Sequence, residues 1–80
     1  MITSAQIRAA RAMLDWSREQ LSAKSGVGIS ALMRLESAEG VPSGNIKTFE
    51  AVQKAFEKAG IEFLGSPEEG AGVRWKPKNS

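Results

Sequence analysis

Apolar residues recur at helical spacing along the first sixty positions and then change period. Ile7, Ala10 and Leu14 recur as one helix face would. Ala31, Leu32 and Leu35 share one side of a wheel at about 100° per residue, with Ile29, Ser30, Met33 and Arg34 on the other. Ile46, Phe49, Val52 and Phe56 form a longer apolar stripe. After Gly60 the period falls to two. Ile61 and Phe63 flank Glu62, and Val73 and Trp75 alternate with Arg74 and Lys76. The pattern predicts a mainly α chain of four helices followed by a short two-stranded β element.

Local chemistry supplies the boundaries. Thr3 with Gln6 fits a capping box, with Ile2 and Ile7 in the staple positions. Asp15 and Trp16 make the first connection. Ser17 with Gln20 fits a second box, and Trp16 with Leu21 a second staple, so Trp16 reads as a packing residue. Helix two then runs from about Arg18 to Lys24, and Gly26 supplies the left-handed residue that ends it. Gly28 caps helix three, with Val27 and Leu32 as its staple, although Gly is a weaker cap than Ser or Asn. Glu39 to Gly44 is a loop by composition. Asn45 caps helix four, which ends before Gly60. Arg8 is expected to be solvated.

Residues 1–60 thus read as one helical domain, 61–76 as a strand pair, and 77–80 as a frayed tail. An isolated hairpin is marginal in water. The apolar face of Phe63, Val73 and Trp75 must therefore pack on the helices or on another chain. With its exposed edges, the pair is the candidate dimerisation element. Glu62 is placed to face Arg74 or Lys76 across it.

Composition narrows the chemistry. The chain has 80 residues, no Cys, no His and no Tyr. A domain of this size buries only about 60% of the surface of its unfolded chain. Without Cys or His it lacks disulfides, thiolate metal sites and the commonest general base. Asp15, Glu19 and Glu36 have no acid–base spacing, and no phosphate loop is visible, so no enzyme, cofactor or metal is expected. No apolar run approaches the roughly 18 residues of a membrane span, and the start does not read as a signal peptide. A cytoplasmic protein is expected. The net charge of +2 is only mildly basic, but residues 71–80 carry Arg74, Lys76 and Lys78 without an acid.

The stretch Arg18–Ser37 pairs a short helix with a second helix through the turn Ser25-Gly26-Val27. Leu21, Val27, Leu32 and Leu35 lock the two together, and small Ser22 allows close approach. One polar-edged face is left outward, as a helix entering the major groove requires. Trp16-Ser17-Arg18-Glu19-Gln20-Leu21, Ser25-Gly26-Val27 and Leu32-x-Arg34-Leu35-Glu36 resemble the XRE family of Cro-like and phage-repressor-like helix-turn-helix regulators. The resemblance is specific between Ile7 and Glu36 and extends through Gly60.

That resemblance implies a repressor-like four-helix domain that binds double-stranded DNA in a sequence-specific way and regulates transcription, as a repressor. It implies base-facing roles for Arg18, Gly28, Ile29, Ser30, Met33 and Arg34. Ser17, Ser43, Asn45 and Lys47 match phosphate-contacting positions, and Arg11 and Glu36 a buried structural ion pair. Three positions depart from the family pattern. Ser22 stands where Ala is usual, Gly28 replaces a Ser or Thr cap, and Ile29 offers a methyl contact where a polar reader is common. The implied partner is duplex DNA bound by a homodimer, with half-sites about 34–36 Å apart. Two alternatives keep the scaffold. One is an antitoxin-type regulator holding a toxin with its C-terminal part. The other is a protein-interaction module using Ile29 and Met33.

Overall fold

Thr3 starts the first helix by a reciprocal pair of bonds. Its hydroxyl accepts from the Gln6 amide at 3.1 Å, and the Gln6 side-chain carbonyl accepts from the Thr3 amide at 2.8 Å. A computed structural model describes residues 2–38 and 45–76. Helix α1 spans Ser4–Leu14, α2 Arg18–Ser25, α3 Ile29–Ser37 and α4 Ile46–Lys58. Strands β1 (Ile61–Leu64) and β2 (Gly72–Trp75) follow. The fold is mainly α with a C-terminal antiparallel pair, as the change of period predicts. The expected loop over 39–44, with Ser43, and the expected tail over 77–80 lie outside the described residues.

Asp15 ends α1 in the left-handed region, at φ 58°. The amides of Asp15 and Trp16 reach back to the carbonyls of Ala12 and Arg11 at 3.1 and 3.0 Å. Glycine adopts this conformation without a Cβ conflict, whereas a β-branched residue does not. Asp15→Gly should leave the thermal midpoint unchanged or slightly raised. Asp15→Val should cost about 1–2 kcal/mol in thermal unfolding. Equal midpoints for the two variants would contradict this reading of the turn.

Ser17 and Gln20 form the second capping box, at 3.1 and 2.8 Å. Gly26 ends α2 at φ 75°. Asn45 caps α4 by accepting from the Lys47 amide at 2.8 Å. Gly28 precedes α3 without any side-chain cap.

The core gathers Ile2, Ile7, Ala10, Leu21, Val27, Leu32, Leu35, Phe49, Val52, Ala55, Phe56 and Ile61. Phe56 is fully buried at its centre. Trp16 stacks on it at 5.7 Å and Phe63 meets it edge-on at 6.1 Å. Trp16 is thereby a packing residue, with the Lys24 ammonium 5.2 Å from its ring centre. One position of the α4 stripe departs from expectation: Ile46 is 61% exposed. Periodicity aligns it with Phe49, but this first turn of α4 runs past the surface that buries the rest of the stripe.

The hairpin docks on its own helices. Its register pairs Ile61 with Trp75, Glu62 with Arg74, Phe63 with Val73 and Leu64 with Gly72. At one end Gln6, already engaged in its capping box, donates to the carbonyls of Leu64 and Gly72 at 3.3 and 2.8 Å. At the other the Trp75 indole N–H donates to the Ala59 carbonyl at 3.0 Å. Phe63 and Val73 are half-buried against the core, so the apolar face is largely covered within one chain. Arg74 pairs with Glu62 at 2.7 Å on the open face. The hydrogen bond from Arg74, and then its charge, hold the Glu62 carboxyl below its ordinary range. A depressed carboxyl favours the folded state above the ordinary carboxylate range and loses that contribution as pH falls.

Two side chains of α1 finish α3. Ser4, fully buried, donates its hydroxyl to the Leu35 carbonyl. Arg8 donates to the Glu36 carbonyl. Arg8 is therefore not simply solvated: it satisfies a helix-end carbonyl that has no partner within the helix. Among the described residues no helix is long and apolar enough to cross a membrane.

Candidate nucleic-acid interface

The turn between α2 and α3 is fixed by short polar contacts. The Gly26 amide donates to the Ser22 carbonyl at 2.9 Å. The Ser22 hydroxyl donates to the Val27 carbonyl at 2.6 Å, and the Val27 amide donates to the Ser25 hydroxyl at 3.2 Å. Ser22, which departs from the family's usual Ala, thus crosses from α2 to the chain entering α3. Leu21, Val27, Leu32 and Leu35 are all buried beneath the pair. The angle between the helices is set by packed apolar groups and a saturated turn.

Helix α3 then divides as its wheel predicts. Leu32, Leu35 and Glu36 are buried, while Ser30, Met33, Arg34 and Ser37 are exposed. Met33 is 51% exposed, a large apolar group in the open. Ile29 is only half-buried, so its branched end borders both core and surface. Gly28, with no side chain to cap the helix, leaves the first-turn amides of α3 without a side-chain acceptor. Such amides favour an anion. Ser17 is exposed at the head of α2, and Asn45 and Lys47 are exposed at the head of α4.

Behind this face lies a three-residue ion cluster. The Glu36 side chain is 1% exposed. Arg11 from α1 grips it with two parallel bonds, Nε to Oε2 at 2.8 Å and Nη2 to Oε1 at 3.0 Å. The remaining Nη1 of Arg11 donates to the Trp16 carbonyl at 3.0 Å. Arg18 from α2 adds a third bond, Nε to Oε1 at 3.0 Å. Its side chain is 40% exposed. One carboxylate thus ties α1, α2 and α3 together, with one net positive charge left on the cluster.

The structure joins residues that the sequence pattern separates. Arg18 is expected as a surface contact and Arg11 with Glu36 as an internal pair, yet both arginines share Glu36. Ser4 and Arg8 are further partners of α3 that the sequence pattern does not show. No local signal marks those two, because each bond spans about thirty residues of sequence. Of the expected dimerisation residues only Trp75 stays exposed, at 39%.

A surface concavity between α2 and α4 shares no residue with the α3 face. It is lined by Lys24, Ser25, Ala51, Lys54, Ala55, Glu57 and Lys58. Lys24 and Lys58 lie in the last turns of their helices, where cations offset the helix dipole. Their helix positions account for two of its three lysines. Among the described residues no group of three or more acids could hold a metal ion.

Comparison with known proteins agrees with this architecture. A family model described as helix-turn-helix matches residues 7–46, half of the chain. The match runs from within α1, through the α2–turn–α3 unit and the ion cluster, to the start of α4. No curated protein matches the chain. With four helices, a locked α2–α3 pair and that match, the chain belongs to the XRE-type helix-turn-helix family of DNA-binding transcription regulators.

Proposed function

We propose that this protein represses transcription by laying α3 in the major groove of a specific duplex site. The observation that carries this reading is the division of α3. Its inner face is locked into the core, and its outer face presents Ser30, Met33 and Arg34 to solvent. Arg34 is the residue best suited to a bidentate contact with guanine. Ile29 and Met33 offer contacts to thymine methyl groups. Arg18 and Gly28 complete the base-facing edge. Ser17, Asn45 and Lys47, on helix N-termini, hold phosphate, together with Ser43. With so few hydrogen-bonding side chains, specificity leans on backbone contacts and DNA shape.

Selection from a random duplex pool followed by gel shift tests this. Arg34→Ala should relax the preference at one base pair and cost about 1–3 kcal/mol on the selected site. Lys47→Ala should weaken all duplexes alike and lower the salt slope by about one. Loss of sequence preference in Lys47→Ala, or none in Arg34→Ala, would place the reading surface elsewhere.

The protein acts as a homodimer in this reading, because paired half-sites match a two-fold protein. The hairpin supplies the contact. The Lys76 amide donates to the Gly60 carbonyl at 2.9 Å, which makes that pair a hydrogen-bonded one. By alternation, the main-chain groups of Ile61, Phe63, Val73 and Trp75 then face the outer edges. Exposed Trp75 and Leu64 lie beside those edges, whereas Phe63 and Val73 contribute backbone more than side chain. Sedimentation should show a dimer, and Trp75→Glu should convert it to a monomer. A wild-type monomer bound to DNA would overturn this part alone.

A further inference from the structure

We propose that Glu36 is a positioning residue for DNA binding: it holds Arg18 by Nε and leaves the end-on Nη1–Nη2 fork of that guanidinium for a phosphate or a guanine edge. This rests on the reading of the α2 head and α3 as the DNA surface, and it adds a function to a residue otherwise only structural.

The geometry has three parts. First, Glu36 is fixed without Arg18. Arg11 grips both carboxylate oxygens, at 2.8 and 3.0 Å, and its Nη1 is held by the Trp16 carbonyl at 3.0 Å. The carboxylate is an immobile anchor between α1 and α3. Second, Arg18 meets that anchor through Nε alone, at 3.0 Å. Among the described residues neither of its Nη atoms has a hydrogen-bond partner. Arginine presents two bidentate edges, and only the outer one remains free. Third, the Arg18 side chain is 40% exposed while that of Glu36 is 1% exposed. The charge therefore leads from the core to the surface, at the first residue of α2.

A free arginine must lose rotamer freedom when it binds. One already held by its inner nitrogen loses less, which is the ordinary benefit of preorganisation. Lysine at position 18 would keep the charge but lacks the planar fork, so it could not offer a bidentate edge to DNA while a separate nitrogen is held by Glu36. Glu19, the next residue in the chain, is exposed, and among the described residues Arg18 pairs with Glu36 and not with it.

A double-mutant cycle tests this, using the duplex that the wild-type chain selects from a random pool. Affinities of wild type, Arg18→Gln, Glu36→Gln and the double variant are measured below the lowest thermal midpoint and corrected to the folded fraction by circular dichroism. Glu36→Gln should weaken binding about tenfold in the wild-type background and less than about twofold beside Arg18→Gln. Arg18→Lys, which leaves Glu36 and Arg11 in place, should lose nearly as much affinity as Arg18→Gln. If the fork binds phosphate, Arg18→Gln lowers the salt slope by about one; if it binds guanine, preference at one base pair is lost instead. Either result fits the proposal. Equal loss on Glu36→Gln in both backgrounds would make Glu36 structural only. Tighter binding in Glu36→Gln would mean that Glu36 competes with DNA for Arg18. Full affinity in Arg18→Lys would also overturn it. If wild type selects no duplex, the DNA reading and this inference fall together. If it does and the cycle is additive, only the inference falls.

Discussion

Glu36→Ala is expected to cost about 3–5 kcal/mol in urea unfolding. An 80-residue domain holds about 4–12 kcal/mol in total, so much of this variant should be unfolded near 37 °C. The size of the effect follows from what is left behind. Arg11, with a side chain only 23% exposed, would keep its charge and lose its bidentate partner. Arg18 would lose its inner bond, and a small void would open beneath the α1–α3 contact. The three residues should rank Glu36→Ala above Arg11→Ala above Arg18→Ala. Removing Arg18 leaves Glu36 paired and opens a site already 40% exposed. A loss below about 1 kcal/mol for Glu36→Ala would mean that the cluster behaves as a solvated surface pair.

Gly60→Ala should be nearly as damaging, for a steric reason. Gly60 sits at φ 101°, and a Cβ there would lie 2.1 Å from the carbonyl oxygen of Lys76. That atom belongs to the backbone, so no side-chain rotation relieves the clash. The same two residues carry the first rung of the hairpin, the Lys76 amide donating to the Gly60 carbonyl, and the Trp75 ring stands 3.4 Å from the same Cβ position. The hairpin would have to lift away from the end of α4, removing the Trp75–Ala59 bond and exposing Phe63 beside Phe56. We expect a loss of about 3 kcal/mol or more. Gly26→Ala is the control. Gly26 also has a positive φ, 75°, but nothing lies within 4 Å of its Cβ position. It should cost about 1 kcal/mol from conformation alone. Similar losses in the two variants would show that Gly60 is needed only for its φ.

Most of the fold is legible in the sequence because its signals are local. Thr3 with Gln6 and Ser17 with Gln20 mark helix starts within four residues, and Gly26 marks a stop. The change from a period near 3.6 to a period of two marks the hairpin without knowledge of what it packs against. The limits appear wherever a side chain reaches across the sequence. Ser4 and Arg8 finish a helix some thirty residues away. Gln6 serves its own capping box and the hairpin 58 and 66 residues on. These long-range bonds of Ser4, Arg8 and Gln6 leave no trace in spacing or composition. Ile46 shows the converse limit: a periodic stripe gives direction around a helix but not where the neighbouring layer ends.

The site divides along the same line. The outward face of α3 follows from its wheel, and the Arg11–Glu36 contact follows the family resemblance. The place of Arg18 in that cluster is read only from the structure, because Oε1 of Glu36 accepts from two helices at once. Phe63 and Val73 also needed the structure. As a sequence they make an unpartnered apolar face, whereas in the fold their own helices largely cover them.

We propose the outer face of α3 as the surface that meets DNA. An NMR titration of the intact chain with its selected duplex tests this most directly. The amides of residues 17–18, 28–34 and 45–47 should shift together, and the shifts should fade as salt is raised. The Lys54–Lys58 segment of α4 should stay in place. Shifts centred on the α2–α4 concavity, or no salt-sensitive change at micromolar protein, would contradict it.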